Sequence, residues 1–191
     1  MTTVSTPAIP LRRRSGHRAR FIFAGLSACG LAALAWASFV SPLPRLIYNP
    51  SDSVAVGWYR VDPHESGAPA LHVGNVVLVP LPADAATLAA RRHYLPMGTP
   101  LLKPVAAVAP QRVCVIGDRL RIDGVPVATV LRTDGMGRPL HAWLQCRRLR
   151  PGELFLLSTT NPASFDSRYF GPVKASTVLG VAHPVWLETH R

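Results

Sequence analysis

Lysine is nearly absent. Of 21 basic residues only Lys103 and Lys174 are lysines, and the other nineteen are arginines. Acids are scarce as well, ten in 191 residues, and the first of them is Asp52. The three cysteines form no Cys-x-x-Cys pair, no His-Glu-x-x-His occurs, and the seven histidines are scattered, so no metal is expected. No cofactor is expected either. Charged residues make up 16% of the chain and hydrophobic ones 48%, which excludes a disordered or collagen-like polymer. Nineteen prolines and fourteen glycines leave little room for long helices and exclude a helical bundle. What remains is one domain built of many short strands joined by turns.

The net charge of +11 is unevenly spread. Residues 1–20 carry Arg12, Arg13, Arg14, Arg18 and Arg20 with no acid. Phe21 to Val40 then runs without a charge, FIFAGLSACGLAALAWASFV. Twenty apolar residues span a hydrocarbon core of about 30 Å, and the preceding arginines keep their end in the cytoplasm. The expected organisation is a basic cytoplasmic tail over 1–20, a transmembrane anchor (or uncleaved signal-anchor) over 21–40, and an extracytoplasmic domain over 41–191 in contact with membrane lipid. A cleavable signal peptide is the rival reading, with Ala35-Trp36-Ala37 as a small-x-small site. Both deliver the domain to one compartment and differ on whether it stays tethered. A nucleic-acid footprint is the third explanation of the charge. No RNP, KH or zinc-finger spacing accompanies it, so no nucleic-acid partner is expected.

Cys29 falls within the apolar run, whereas Cys114 and Cys146 fall in the outer domain, where oxidising conditions permit a disulfide. A bridge there would close a loop of about thirty residues and contribute roughly 3–4 kcal/mol. Two buried free thiols are equally compatible with the spacing.

In the outer domain, Val54–Val61, Asn75–Leu81, Leu101–Val108, Arg112–Ile116, Arg119–Ile122, Val125–Leu131, Leu154–Ser158 and Ser176–Trp186 read as strands. Asp123-Gly124 is a two-residue hairpin signal. Asp84 to His93 (DAATLAARRH) predicts a helix with Asp84 as N-cap, and Thr133–Pro139 (TDGMGRP) predicts a loop. The pattern is mainly antiparallel β.

Lys103 stands in Pro100-Leu-Leu-Lys-Pro-Val-Ala-Ala-Val108, with no carboxylate within several residues. Burial without a counter-ion lowers an amine's pKa from about 10.4 toward the range of a general base. Arginine cannot serve, because its pKa stays above about 12. The plainer alternative is a snorkelling lysine whose stem packs while its head reaches water. About ten residues past the apolar run lies Asn49-Pro-Ser-Asp-Ser-Val-Ala-Val-Gly57. A serine here would meet a membrane-held substrate, and a Ser–Lys pair is an accepted nucleophile–base arrangement. A polar turn into the first strand is the alternative.

A third segment, Ser164-Phe-Asp-Ser-Arg-Tyr-Phe-Gly-Pro-Val173, completes a pattern. Basic tail, apolar anchor, Ser-x-Ser, Pro-Leu-Leu-Lys and Asp-Ser-Arg-Tyr-Phe-Gly occur in that order. Together they resemble the type I signal peptidase family, and within it the TraF-like conjugative-transfer branch. The resemblance implies signal-peptidase/LexA-like coiled antiparallel sheets, mainly β, with the reacting residues in a groove. It implies Ser53 as nucleophile and Lys103 as general base, with the Ser51 hydroxyl joining the Ser53 N–H in an oxyanion hole. Ser164 would hold the lysine amine, and Asp166 and Arg168 would brace the site. The segments Val-Cys114 and Leu-Gln-Cys146 also look like the branch's cysteine-bearing segments, which implies a Cys114–Cys146 disulfide. Three positions depart from the family pattern. Val54 replaces methionine after the nucleophile, Ala55 replaces a proline, and Ala109-Pro110 replaces a Pro-Gly turn.

By resemblance, the expected activity is endopeptidase cleavage of the signal or leader peptide of an exported precursor, prepilin-like or otherwise of a transfer or secretion system. In some members of the branch an amine rather than water resolves the acyl-enzyme and the product is cyclic. The expected location is the bacterial inner membrane, with the peptidase domain facing the periplasm. A non-enzymatic envelope component that keeps the fold is the alternative. A self-cleaving LexA-like regulator is disfavoured, because an anchor stands where a helix-turn-helix would be.

Overall fold

The computed structural model describes residues 17–39, 46–64 and 69–188. The chain divides into two units, one ending at Pro42 and one beginning at Leu43. Among the described residues the first holds one helix, α1 (His17–Phe39), whose sequence contains no proline and, beyond Arg20, no charge. Among the described residues no helix is long and apolar enough to cross a membrane. The expected span of 21–40 ends at Val40, and the expected tail begins at Met1; Val40 and residues 1–16 lie outside the described residues.

The second unit is mainly β. Its strands are β1 (Leu46–Asn49), β2 (Gly57–Pro63), β3 (Val76–Val79), β4 (Leu101–Val108), β5 (Arg112–Ile116), β6 (Arg119–Ile122), β7 (Val125–Thr129), β8 (Cys146–Arg148), β9 (Glu153–Leu156), β10 (Val173–Lys174) and β11 (Gly180–Leu187). Two short helices join them, α2 (Ala83–Arg91) and α3 (Ser167–Phe170). Seven strands form one sheet in the order β1-β2-β11-β3-β4-β9-β10, and four form a second in the order β7-β6-β5-β8. Every strand pairing is antiparallel.

Valine- and leucine-rich strands bury both faces of the large sheet. On β3, Val77 and Val79 enter one cluster with Val105, Leu154 and Leu156, while Leu78 enters another with Tyr59, Val61 and Leu102. That alternation is the two-residue period of a pleated strand. The second sheet lays Val113, Leu120 and Ile122 against Ala107 and Phe155 of the first. At Asp123-Gly124 both residues take positive φ, 50° and 87°, which is the backbone that a two-residue hairpin requires. Cys114 and Cys146 face each other in register on β5 and β8 and form a disulfide. The alternative of two free thiols is thereby settled, and the bridge contributes about 3–4 kcal/mol for a loop of this length.

Three expectations need correction. The last expected strand begins at Gly180 rather than Ser176, because Ala175–Thr177 form a turn of 3-10 helix. Helix α2 starts at Ala83 with Pro82 as its N-cap and no side-chain cap, so Asp84 lies in the first turn. The proline's fixed φ of −53° suits a helix entry, and Asp84 still complements the helix dipole there. The first expected strand begins at Gly57 rather than Val54, because residues 50–56 form a turn that delivers Ser53.

Candidate active site

The turn after β1 is organised by Asn49, whose side chain is buried. Its amide nitrogen donates to the carbonyls of Ser51 at 2.7 Å and of Val54 and Ala55 at 3.2 Å. Its oxygen accepts from the Ser51 N–H at 3.2 Å and the Ser51 hydroxyl at 2.9 Å. Asparagine can satisfy a turn's own backbone in this way because its side chain carries both donors and acceptor. Outside the turn, the Thr160 hydroxyl donates to the Asp52 carbonyl at 2.7 Å and the Tyr59 hydroxyl to the Ala55 carbonyl at 2.6 Å. Pinned from both sides, Ser53 is buried while Ser51 stays exposed.

Lys103 comes from β4, an interior strand of the large sheet. It pairs with Val77 of β3, and on the other side the Leu157 N–H donates to the Pro104 carbonyl. The chain leaving β9 therefore runs beside Lys103 and turns back so that Ser164 meets it. Lys103 Nζ donates to Ser164 Oγ at 2.5 Å, and Ser164 Oγ lies 3.3 Å from Ser53 Oγ. Among the described residues no direct Ser53–Lys103 hydrogen bond occurs; Ser164 joins the two. Lys103 is only 3% exposed, and burial lowers its pKa to about 8. The Asp166 carboxylate pulls it upward and the Arg168 guanidinium pushes it further down. The snorkelling alternative does not hold.

Asp166 and Arg168 form a fully buried ion pair. Arg168 donates to Asp166 through Nε and through Nη2, both at 2.8 Å. Its remaining donors reach the carbonyls of Thr129, Pro162 and Ser164, each at 2.9 Å. Asp166 also accepts from the backbone N–H of Ser158 at 3.1 Å and of Arg168 at 3.2 Å, the second of which caps α3. Leu156 N–H donates to Ser167 Oγ at 3.0 Å. The pair thus fixes the strap that carries Ser164 against β9. Neither member hydrogen-bonds Ser53 or Lys103, so in this geometry both brace rather than react.

A cleft of about 630 Å³ opens over these groups, and Ser51, Ser53 and Lys103 lie on its wall. A buried amine with a pKa near 8, linked through one hydroxyl to a serine, is able to withdraw a proton at mildly alkaline pH. The six residues expected from the sequence converge here in two layers: Ser51, Ser53, Lys103 and Ser164 at or next to the cleft, Asp166 and Arg168 behind it. Sequence reasoning missed Asn49 and Thr160, which hold the Ser53 turn, and Tyr94 and Phe165, which line the cleft. Asn49 was legible only as a turn former. Phe165 sits inside the Ser164–Val173 motif but carried no role there, while Thr160 and Tyr94 meet Asp52 and Phe165 across 108 and 71 residues, for which a single sequence carries no signal.

Residues 18–187 match the family described as signal peptidase, peptidase S26. A conjugal transfer protein TraF from Agrobacterium tumefaciens is 34% identical over 179 residues, covering 89% of this chain and 97% of that protein. A plasmid transfer protein TraF from Escherichia coli is 30% identical over 173 residues, covering 86% of this chain and 94% of that one. A signal peptidase I structure from Enterococcus faecalis superposes with a TM-score of 0.36 at 23% identity, over 59% of this chain and 97% of that one. With nearly the whole chain matched, from within α1 to the last residue of β11, the protein belongs to the signal peptidase family, peptidase S26, and to its TraF-like branch.

Proposed function

We propose that this chain is a membrane-tethered serine endopeptidase of a conjugative-transfer system, and that it cleaves the signal or leader peptide of an exported, prepilin-like precursor. The observation that carries the reading is the buried Lys103 amine, held without a contacting carboxylate and joined through Ser164 to the Ser53 hydroxyl. The names of the relatives support the setting. The uncharged run 21–40 behind five arginines supports the tether, with the catalytic domain on the periplasmic side of the inner membrane.

In the acylation step Ser53 Oγ attacks the scissile carbonyl carbon, and its proton passes to neutral Lys103, with Ser164 Oγ linking the Ser53 oxygen to the lysine nitrogen. The Ser53 N–H and the Ser51 hydroxyl stabilise the developing oxyanion, for which the Ser51 hydroxyl turns away from Asn49. Each such donor is worth about 2.7–4 kcal/mol of barrier. The C–N bond then breaks, and protonated Lys103 returns the proton to the leaving amine. Water, deprotonated by the same lysine, attacks the acyl carbon, the bond to Ser53 Oγ breaks and Lys103 returns the proton to that oxygen; an amine of the substrate attacking in place of water would give a cyclic product.

The test is to incubate the full-length protein with candidate precursors encoded beside it and to map new termini by mass. New termini after a small residue, absent with Ser53→Ala, are the expected result, and the masses distinguish linear from circular product. Termini that form equally with Ser53→Ala would overturn the reading. The pH profile is a second check. Lys103 acts only as the free amine, so kcat/KM should rise with pH to a midpoint near 8 and fall about tenfold per unit below it. A profile flat between pH 6 and 10 removes Lys103 from the role.

A further inference from the structure

Phe165 follows directly on Ser164, the residue that touches both Lys103 Nζ and Ser53 Oγ. Phe165 lines the active-site cleft. It also lines two further hollows, one of about 250 Å³ shared with Tyr94, Asp134 and Ala163, and one of about 310 Å³ shared with Ala85 and Leu88. Phe165 therefore stands where the cleft and both spaces meet, and Tyr94 stands where the cleft meets the smaller one. An aromatic stack holds it upright. Its centroid lies 5.4 Å from Tyr94, 5.7 Å from Tyr169 in a nearly parallel stack, and 5.7 Å from Phe170 edge-on.

Tyr94 in turn is latched by the loop 133–139. Its hydroxyl donates to Asp134, whose side chain is only 6% exposed. Asp134 also accepts from Arg138 Nε at 2.6 Å and from the backbone N–H of Met136 and Arg138 at 2.9 Å. The Arg138 guanidinium stands 5.5 Å from the centre of the Tyr94 ring. With those donors in place, Asp134 has no free acceptor for a cationic ligand, and its work is to fix the Tyr94 ring. A side chain pressed against this wall meets two braced rings instead of the hollows they adjoin.

We propose that Phe165 and Tyr94 form the size filter of the cleft, excluding large substrate side chains from a subsite next to the scissile bond, and that Asp134 is the residue that positions it. This deepens the peptidase reading and rests on it. The filter is a property of ring volume and of a hydrogen-bonded latch far away in sequence, so it can be altered without touching Ser53 or Lys103.

The experiment uses full-length protein in detergent with synthetic peptides bearing an apolar run followed by Ala-x-Ala. Each position from three residues before the bond to two after it is changed singly to Leu. The readout is the Leu/Ala ratio of kcat/KM at each position, which general loss of activity does not move. Phe165→Ala is expected to raise that ratio by about tenfold or more at one position, the scale on which pockets discriminate a few methylenes. Phe165→Leu should give a smaller rise at the same position. Tyr94→Phe, which keeps the ring and removes the latch, should raise it a few-fold there with the pH midpoint unmoved. Ratios unchanged at every position in a folded Phe165→Ala or Phe165→Leu protein overturn the filter. If the wild type cleaves no peptide at all, the peptidase reading fails on its own. The filter is then read from binding of the same peptides, dye-labelled: tighter Leu-peptide binding by Phe165→Ala than by wild type supports it, and equal binding overturns it.

Discussion

Replacing Ser53 with alanine or Lys103 with methionine is expected to lower precursor processing by about 10⁴-fold or more, as for removal of a nucleophile or its base in other serine peptidases. The two losses should not add, because nucleophile and base act in one step; the double variant is expected to match the singles within about tenfold. Methionine keeps the unbranched stem that packs along β4 and removes only the buried amine, so thermal unfolding should be unchanged or shifted upward. Lys103→Arg is the sharper chemical test. A guanidinium supplies charge and hydrogen bonds yet cannot accept the Ser53 proton. Retention of activity by Lys103→Arg would end the general-base assignment. Restoration of conjugative transfer by Ser53→Ala, with processing abolished, would favour the alternative of an envelope assembly component that keeps the peptidase fold.

The second large effect concerns stability. Arg168→Met is expected to cost about 3–5 kcal/mol in urea unfolding, because it leaves the Asp166 carboxylate buried with two backbone donors and no cation. It also strips the carbonyls of Thr129, Pro162 and Ser164 of their donor. For a domain of this size the melting temperature should fall by roughly 10 °C. Catalysis supplies an independent readout. Arg168 pushes the Lys103 pKa down, so its removal should carry the midpoint of the pH profile above 8. Asp166 pulls the pKa up, so Asp166→Asn should carry the midpoint below 8. Opposite shifts from the two variants are the signature of a pair that brackets the lysine electrostatically. A loss of less than about 1 kcal/mol for Arg168→Met, or midpoints that move the same way, would refute this account.

Much of the strand pattern is legible in the sequence, and the reason is local. Leu101–Val108, Arg112–Ile116 and Arg119–Ile122 are runs with clear β composition, and each appears as a strand with those ends. The Asp123-Gly124 turn is legible because few dipeptides tolerate positive φ at both positions. Where reading failed, a nonlocal interaction had won. Val54 and Val56 look like strand residues, but they are buried beside a turn that Asn49 holds from before and Thr160 from 108 residues beyond Asp52. The short strands β1, β8 and β10 have too few residues to show a period; each exists because a longer partner offers it a free edge. Asp84 is a good N-cap by type, yet the proline before it had already set the helix entry.

The site divides along the same line. Residue type and order were enough to single out Lys103, since in a chain that writes nineteen of its 21 cations as arginine a lysine among apolar residues is conspicuous, and only lysine can become a base. They were also enough to group Ser51, Ser53, Ser164, Asp166 and Arg168 by resemblance and to mark Cys114 and Cys146 as partners. What belonged to the tertiary structure was everything measured between those residues. Ser164 rather than Ser53 receives the lysine amine, Asp166 and Arg168 face each other rather than the nucleophile, and the Ser51 hydroxyl rests on Asn49. That Phe165 of the Ser164 motif and Asp134 of the 133–139 loop meet through Tyr94 at the cleft wall could not be read from the sequence. Chemical capacity resides in a side chain and can be read one residue at a time. Protonation, contact and exclusion depend on burial and on distances of a few ångströms between strands remote in sequence, and those exist only once the sheets have packed.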